Sequence, residues 1–155
     1  MGKQIGNRMT GLLWIPLSMG AMALLWYLVS AAGMDNDGYW ILATGKELVN
    51  GIPKENPFTF VEGLDIVVQQ WAWCLLCYRI HAAFGSAGIL ALCAGLSLAV
   101  LAVFQMIGKL RGFGLRSTTL RGVLVLLGMY SFLSIRPTFV TVLLLLLQVY
   151  VTERY

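Results

Sequence analysis

The chain has 155 residues, 59% of them hydrophobic and 12% charged, with a formal net charge of +4. A soluble domain carries about a quarter charged residues, so this chain has too few polar groups to cover a globule in water. The apolar residues form runs and the charges fall between them, which points to lipid as the solvent and excludes an ordinary soluble enzyme.

The first apolar run, residues 11–33, follows Lys3 and Arg8. Ser30-Ala31-Ala32 offers small residues for a signal-peptide cleavage, but the run exceeds the roughly 7–15 residues of a signal-peptide core. Trp14 and Trp26 suit an anchoring helix with aromatics near its ends. It reads as an uncleaved span one.

Residues 34–84 form a long polar loop, and such loops tend to be functional or disordered. Tyr39, Trp40, Phe58, Phe60, Trp71, Trp73, Tyr78 and Phe84 give this one an ordered, interface-packing composition. Asn36 or Asp37 can cap a helix running to about Asn50, with Gly51 as its stop. Phe58–Val61 and Leu64–Val68, flanking Glu62-Gly63, predict a short hairpin. A second helix is expected from Gln69 to Phe84, lying along the membrane surface. It would carry Trp71, Leu75, Tyr78 and Ala82 on one face and Gln70, Cys74, Cys77 and His81 on the next.

Span two is expected over 85–108, ending at Lys109. Its Ala87, Ala91, Gly95 and Ala99 recur every fourth residue, a pattern that lets another helix approach closely in lipid. Span three is expected over 118–135 and span four over 138–152. Arg136-Pro137 turns the chain between them, since proline lacks a backbone donor and biases its predecessor away from helix. The fold expected is therefore an all-α membrane protein of about four transmembrane helices in one membrane domain, 1–155. Its long external loop carries interfacial helices between spans one and two.

Charge sets the expected topology. Lys109, Arg111, Arg116 and Arg121 have no acid among them, whereas residues 34–84 hold six acids against Lys46, Lys54 and Arg79. An excess of Lys and Arg marks cytoplasmic segments. This places both termini and the 109–121 loop in the cytoplasm and the 34–84 loop outside, in a multi-pass cell-membrane protein. The basic loop is short and lacks interleaved aromatics, which argues against nucleic acid as a partner.

Three residue groups carry candidate chemistry. Asp35 and Asp37, directly after span one, are placed to bind a divalent metal (Mg or Mn) or to activate a hydroxyl, or simply to cap a helix. Arg136, at the outer end of span three, can hold a lipid phosphate, pair with Asp35 or Asp37, or anchor the helix at the interface. Cys74-x-x-Cys77 with His81 has the spacing of a redox pair or metal site, but no fourth ligand is evident, and both cysteines read as small apolar residues.

The loop also carries a string of short motifs: Asp37, Tyr39-Trp40, Gly45, Gly51-Ile52-Pro53, Asn56-Pro57-Phe58-Thr59, Gly63 and Trp71. In this order they resemble the first external loop of GT-C-type polytopic membrane glycosyltransferases, such as the dolichyl-phosphate-mannose protein mannosyltransferases. The Ser134–Leu147 stretch is similar to the family's turn between its third and fourth spans, while Ile41 stands where many members carry histidine. The resemblance covers most of this chain and corresponds to the N-terminal portion of a typical member.

It implies sugar transfer from a polyprenyl-phosphate donor at the outer face, with Asp37, or Asp35 second to it, as the catalytic or metal-associated group. Arg136, Trp40 and Trp71 would serve as substrate contacts. Alone, this portion is expected to be inactive or to need a partner membrane subunit that supplies further spans. The alternative is a small non-catalytic membrane protein of the same scaffold that binds lipid or another membrane subunit.

Overall fold

The computed structural model describes Gly20, Leu24, Tyr27, residues 34–129 and residues 135–155. Among these, the secondary structure is helical. Four helices are present: α1, Asn36–Glu47; α2, Trp71–Leu110; α3, Leu115–Gly128; and α4, Thr138–Arg154. Span one lies outside the described residues apart from Gly20, Leu24 and Tyr27, which are helical. The stretch that would end span three, 130–134, lies outside them as well.

Among the described residues, α2 is the helix long and apolar enough to cross a membrane. Its most apolar 18-residue window has a mean hydropathy of 2.5 and only 33% of it is buried, unlike the core helix of a soluble protein. At 1.5 Å per residue its 40 residues reach about 60 Å, roughly twice the hydrocarbon thickness of a bilayer. Gly85 divides it: its φ of 63° and ψ of −156° are non-helical, a conformation open to glycine because it lacks a Cβ. The interfacial helix and span two, expected as separate elements, thus form one helix with a break where the expected boundary fell.

The described residues group into two compact units, and α2 contributes to both. The first comprises residues 34–92 and 135–137. In it, α1 is capped by Asp35, whose Oδ1 accepts from the Gly38 N–H at 2.8 Å; neither Asn36 nor Asp37 is the cap. The helix tightens into a 3-10 turn at Leu48–Asn50, and Gly51 leaves it at a φ of 118°. Ile41, Thr44 and Leu48 are buried along one side of this element. A Cβ on Gly45 would stand 2.6 Å from Tyr78 Cβ, so α1 meets the start of α2 at van der Waals contact there.

The expected hairpin is displaced. The antiparallel bridge joins Glu55 to Asp65, with Asn56 N–H donating to the Leu64 carbonyl at 2.7 Å. Phe58–Val61 is consumed by turns instead. Asn56 Oδ1 accepts from Phe58 N–H and Thr59 Oγ1 from Val61 N–H, and Pro57 has no N–H for a ladder. On the second loop helix the face with the two cysteines is the one turned inward. Cys74 and Cys77 are fully buried, whereas Trp71 is half exposed.

Among the described residues after Gly33, the second unit comprises 93–129 and 138–155. Its core is Val100, Leu101, Leu126 and Phe139, surrounded by Leu96, Val142, Leu143 and Leu146. α2 and α3 form a tight helical hairpin. Gly108 lies against Thr118, whose Oγ1 is 2.6 Å from where a Cβ would stand, and Gln105 Nε2 donates to Thr119 Oγ1 at 3.1 Å. Such small-residue approaches and interhelical hydrogen bonds suit helices in lipid, where burial alone gives little drive to associate. Between the helices, Phe113 N–H donates to the Gly108 carbonyl and Gly112 N–H to the Lys109 carbonyl, with Gly112 at a φ of 74°. That is a Schellman end to α2.

Candidate functional site

The short turn Ile135–Pro137 and the N-terminus of α1 come together within the first unit, although they are about a hundred residues apart in sequence. Two contacts seat the turn. Trp73 Nε1 donates to the Ile135 carbonyl at 2.6 Å, and Ile135 itself is buried. Gly38 leaves room for it, since a Cβ there would stand 2.9 Å from Ile135 Cγ2.

Arg136 then reaches both carboxylates. Its Nη2 lies 3.2 Å from Asp35 Oδ2 and 2.6 Å from Asp37 Oδ2. The sequence offered pairing with these acids as one role for Arg136, and the structure brings the three side chains together. The cluster is half open to solvent: 37% of the Arg136 side chain is exposed and 57% of Asp37. Each exposed ion pair is therefore worth at most about 1 kcal/mol.

The two aspartates are not equivalent. Asp35 spends both oxygens, Oδ1 on the helix cap and Oδ2 on Arg136. Asp37 meets Arg136 through Oδ2 alone. Its Oδ1 has no hydrogen bond among the described residues and it is the more exposed carboxylate. Asp37 also sits in the first turn of α1, where the helix dipole favours negative charge. On geometry, Asp35 is a structural cap and Asp37 is the carboxylate able to accept a proton or hydrogen bond from another molecule.

Arg136 has spare capacity too: its Nε is buried without an acceptor among the described residues. A buried donor left unpaired costs about 1–3 kcal/mol, so this nitrogen favours any arrangement that brings it an acceptor.

A divalent ion held by both carboxylates would sit where the guanidinium now is, and two cations on the same oxygens repel. No group of three His, Cys, Asp or Glu side chains able to hold a metal occurs among the described residues. The arrangement fits a guanidinium rather than a divalent ion, and no step through a metal follows from it.

Of the aromatic residues expected at the site, Trp40 and Trp71 are both exposed, and neither is tied to the acidic cluster by a hydrogen bond or ring contact among the described residues. Trp73, which sequence reasoning did not single out, is the tryptophan that holds the turn. Nothing in its local spacing signals this, because its partner lies 62 residues away. Cys74 and Cys77 stand as buried thiols. Ile41 is buried and so offers no polar group at the site.

No family model, curated protein or solved structure matches this chain.

Proposed function

We propose that this chain is the N-terminal part of a GT-C-like membrane glycosyltransferase that uses a polyprenyl-phosphate-linked sugar at the outer face of the cell membrane. The observation that carries the reading is the cluster of Asp35, Asp37 and Arg136 at the start of α1, directly after the first apolar run. In this reading the chain crosses the membrane four times, with both termini cytoplasmic and residues 34–84 outside. The apolar side chains exposed on α3 and α4, among them Leu124, Leu144 and Leu145, support lipid contact beyond α2.

Asp37 acts as general base through Oδ1. It takes the proton of an acceptor hydroxyl as that oxygen attacks the anomeric carbon, and the bond to the polyprenyl phosphate breaks with its electron pair leaving on the phosphate. Arg136 orients Asp37 through Nη2 and offers its remaining donors to the departing phosphate. Trp40 and Trp71, exposed on neighbouring helices, shape the approach of the acceptor.

Transfer of labelled sugar from a polyprenyl-phosphate donor in membranes tests this, with the remaining spans supplied by a partner subunit where one is needed. Asp37→Asn is expected to reduce transfer by about 100-fold or more, the usual contribution of a general base. Undiminished transfer by that variant sinks the assignment.

A second reading is a non-catalytic membrane protein that binds a partner subunit. It is favoured by Ala87, Ala91 and Gly95 being exposed, with open space at Gly95. Under it, bulky substitution of Gly95 disrupts assembly and Asp37→Asn does not.

A further inference from the structure

The acids of this chain are distributed very unevenly. Six of the seven lie between Asp35 and Asp65, and the seventh, Glu153, is at the end of α4. Glu153 is already taken: Arg111 Nε lies 3.0 and 2.8 Å from its two oxygens, and Arg111 Nη2 also pairs with it. The turn between α2 and α3 therefore keeps uncompensated positive charge. Neither Lys109 nor Arg121 meets a carboxylate among the described residues.

The turn gathers those cations with apolar groups. The Schellman closure puts Gly112 first and Phe113 second beyond the helix end. Arg121, on α3, lays its guanidinium over the Phe113 ring at 4.7 Å from the centroid. Lys109 is in the last turn of α2, next to Gly108, which packs against Thr118 of α3. Leu110, Phe113 and Leu115 are all exposed around them.

Leucines and a phenylalanine exposed beside lysine and arginine, at the end of a helix able to cross a membrane, match one environment. The apolar side chains enter the acyl boundary while the cations meet headgroups.

We propose that the α2–α3 turn is a binding site for an anionic phospholipid headgroup, with Lys109 and Arg121 holding the phosphodiester and Phe113 and Leu115 set in the acyl boundary beneath it. The Arg111–Glu153 pair ties the turn to the end of α4 and removes the one acid that would oppose the ligand. The site rests on α2 crossing the membrane and is independent of the transferase reading.

The test uses the purified full chain in neutral detergent, titrated with short-chain phosphatidylglycerol, short-chain phosphatidylcholine and inorganic phosphate, with binding read by isothermal titration calorimetry. Phosphatidylglycerol is expected to bind at least tenfold more tightly than either of the others. K109Q/R121Q is expected to weaken it about 25-fold, since each basic residue near an anionic lipid surface contributes about fivefold. K109R/R121K, which preserves the charge, retains binding, and K46Q/K54Q, which removes external lysines, leaves it unchanged. Equal binding of phosphatidylcholine, equal binding of free phosphate, undiminished binding by K109Q/R121Q, or equal loss in K109R/R121K overturns the proposal.

Discussion

Gly45→Ala is the perturbation whose sign depends most directly on the packing of α1 against the start of α2. An added Cβ would stand 2.6 Å from Tyr78 Cβ and 2.8 Å from the Cys74 carbonyl carbon, with the Cys74 carbonyl oxygen closer still. Carbon atoms in contact prefer about 3.5–4.0 Å, so the two helical segments would have to part by about 1 Å. Alanine would gain about 1 kcal/mol over glycine in helix propensity. Overpacking costs about 1–3 kcal/mol, toward the upper end when the obstructing atoms are backbone that cannot rotate away.

The net expectation is destabilisation by about 1–2 kcal/mol. A thiol-reactive dye provides the assay, because Cys74 and Cys77 are fully buried and label only when this packing opens. With Cys93 replaced by serine, labelling in detergent is expected to accelerate about 5- to 30-fold, the factor that corresponds to 1–2 kcal/mol. Labelling at the parent rate or slower would show that helix propensity outweighs the contact and would refute the reasoning.

Two further predictions concern the charged groups. Asp35→Ala removes the helix cap and one carboxylate from Arg136, and is expected to lower stability by about 1 kcal/mol. Asp35→Asn keeps a cap and loses less, so thermal melts that rank the two the other way would contradict the capping role. The Glu153 carboxyl is held below the usual glutamate range by its hydrogen bond to Arg111, which outweighs the opposing effect of desolvation, and the charge of that guanidinium adds to the lowering. A depressed carboxylate contributes its stabilisation above the unfolded-state value and loses it as pH falls through the folded one. The tie between the turn and α4 therefore persists through neutral and mildly acidic pH and is released only below the ordinary glutamate range. A spin-label distance between the turn and α4 should lengthen there in the parent but stay constant with pH in Glu153→Gln.

Much of the helical layout was legible because its signals are local. The run of apolar residues from Gly85, the glycine after Asn50 and the Arg136-Pro137 turn each act within a few residues of themselves, and helices and breaks occur at those places. Gly85 was legible as a boundary but not as a kink, since a length argument separates a loop helix from a span without saying whether the helix continues. The hairpin was misplaced because β propensity in Phe58–Val61 competed with the side-chain turns of Asn56 and Thr59, and the turns won.

Sequence by itself determined the helical class, the asymmetry of charge and the acidic pair as a place of interest, because composition and spacing are properties of neighbouring residues. Only the tertiary structure decided the rest. It put Arg136 between Asp35 and Asp37, spent Asp35 on the cap and left an oxygen of Asp37 available. It also made Trp73 rather than Trp71 the residue that seats the turn, and paired Arg111 with Glu153. Each of these joins groups from three to about a hundred residues apart. One of the longer contacts depends on a glycine, since a Cβ on Gly38 would collide with the Ile135 side chain, and such contacts are set by packing that neighbouring residues in sequence do not reveal.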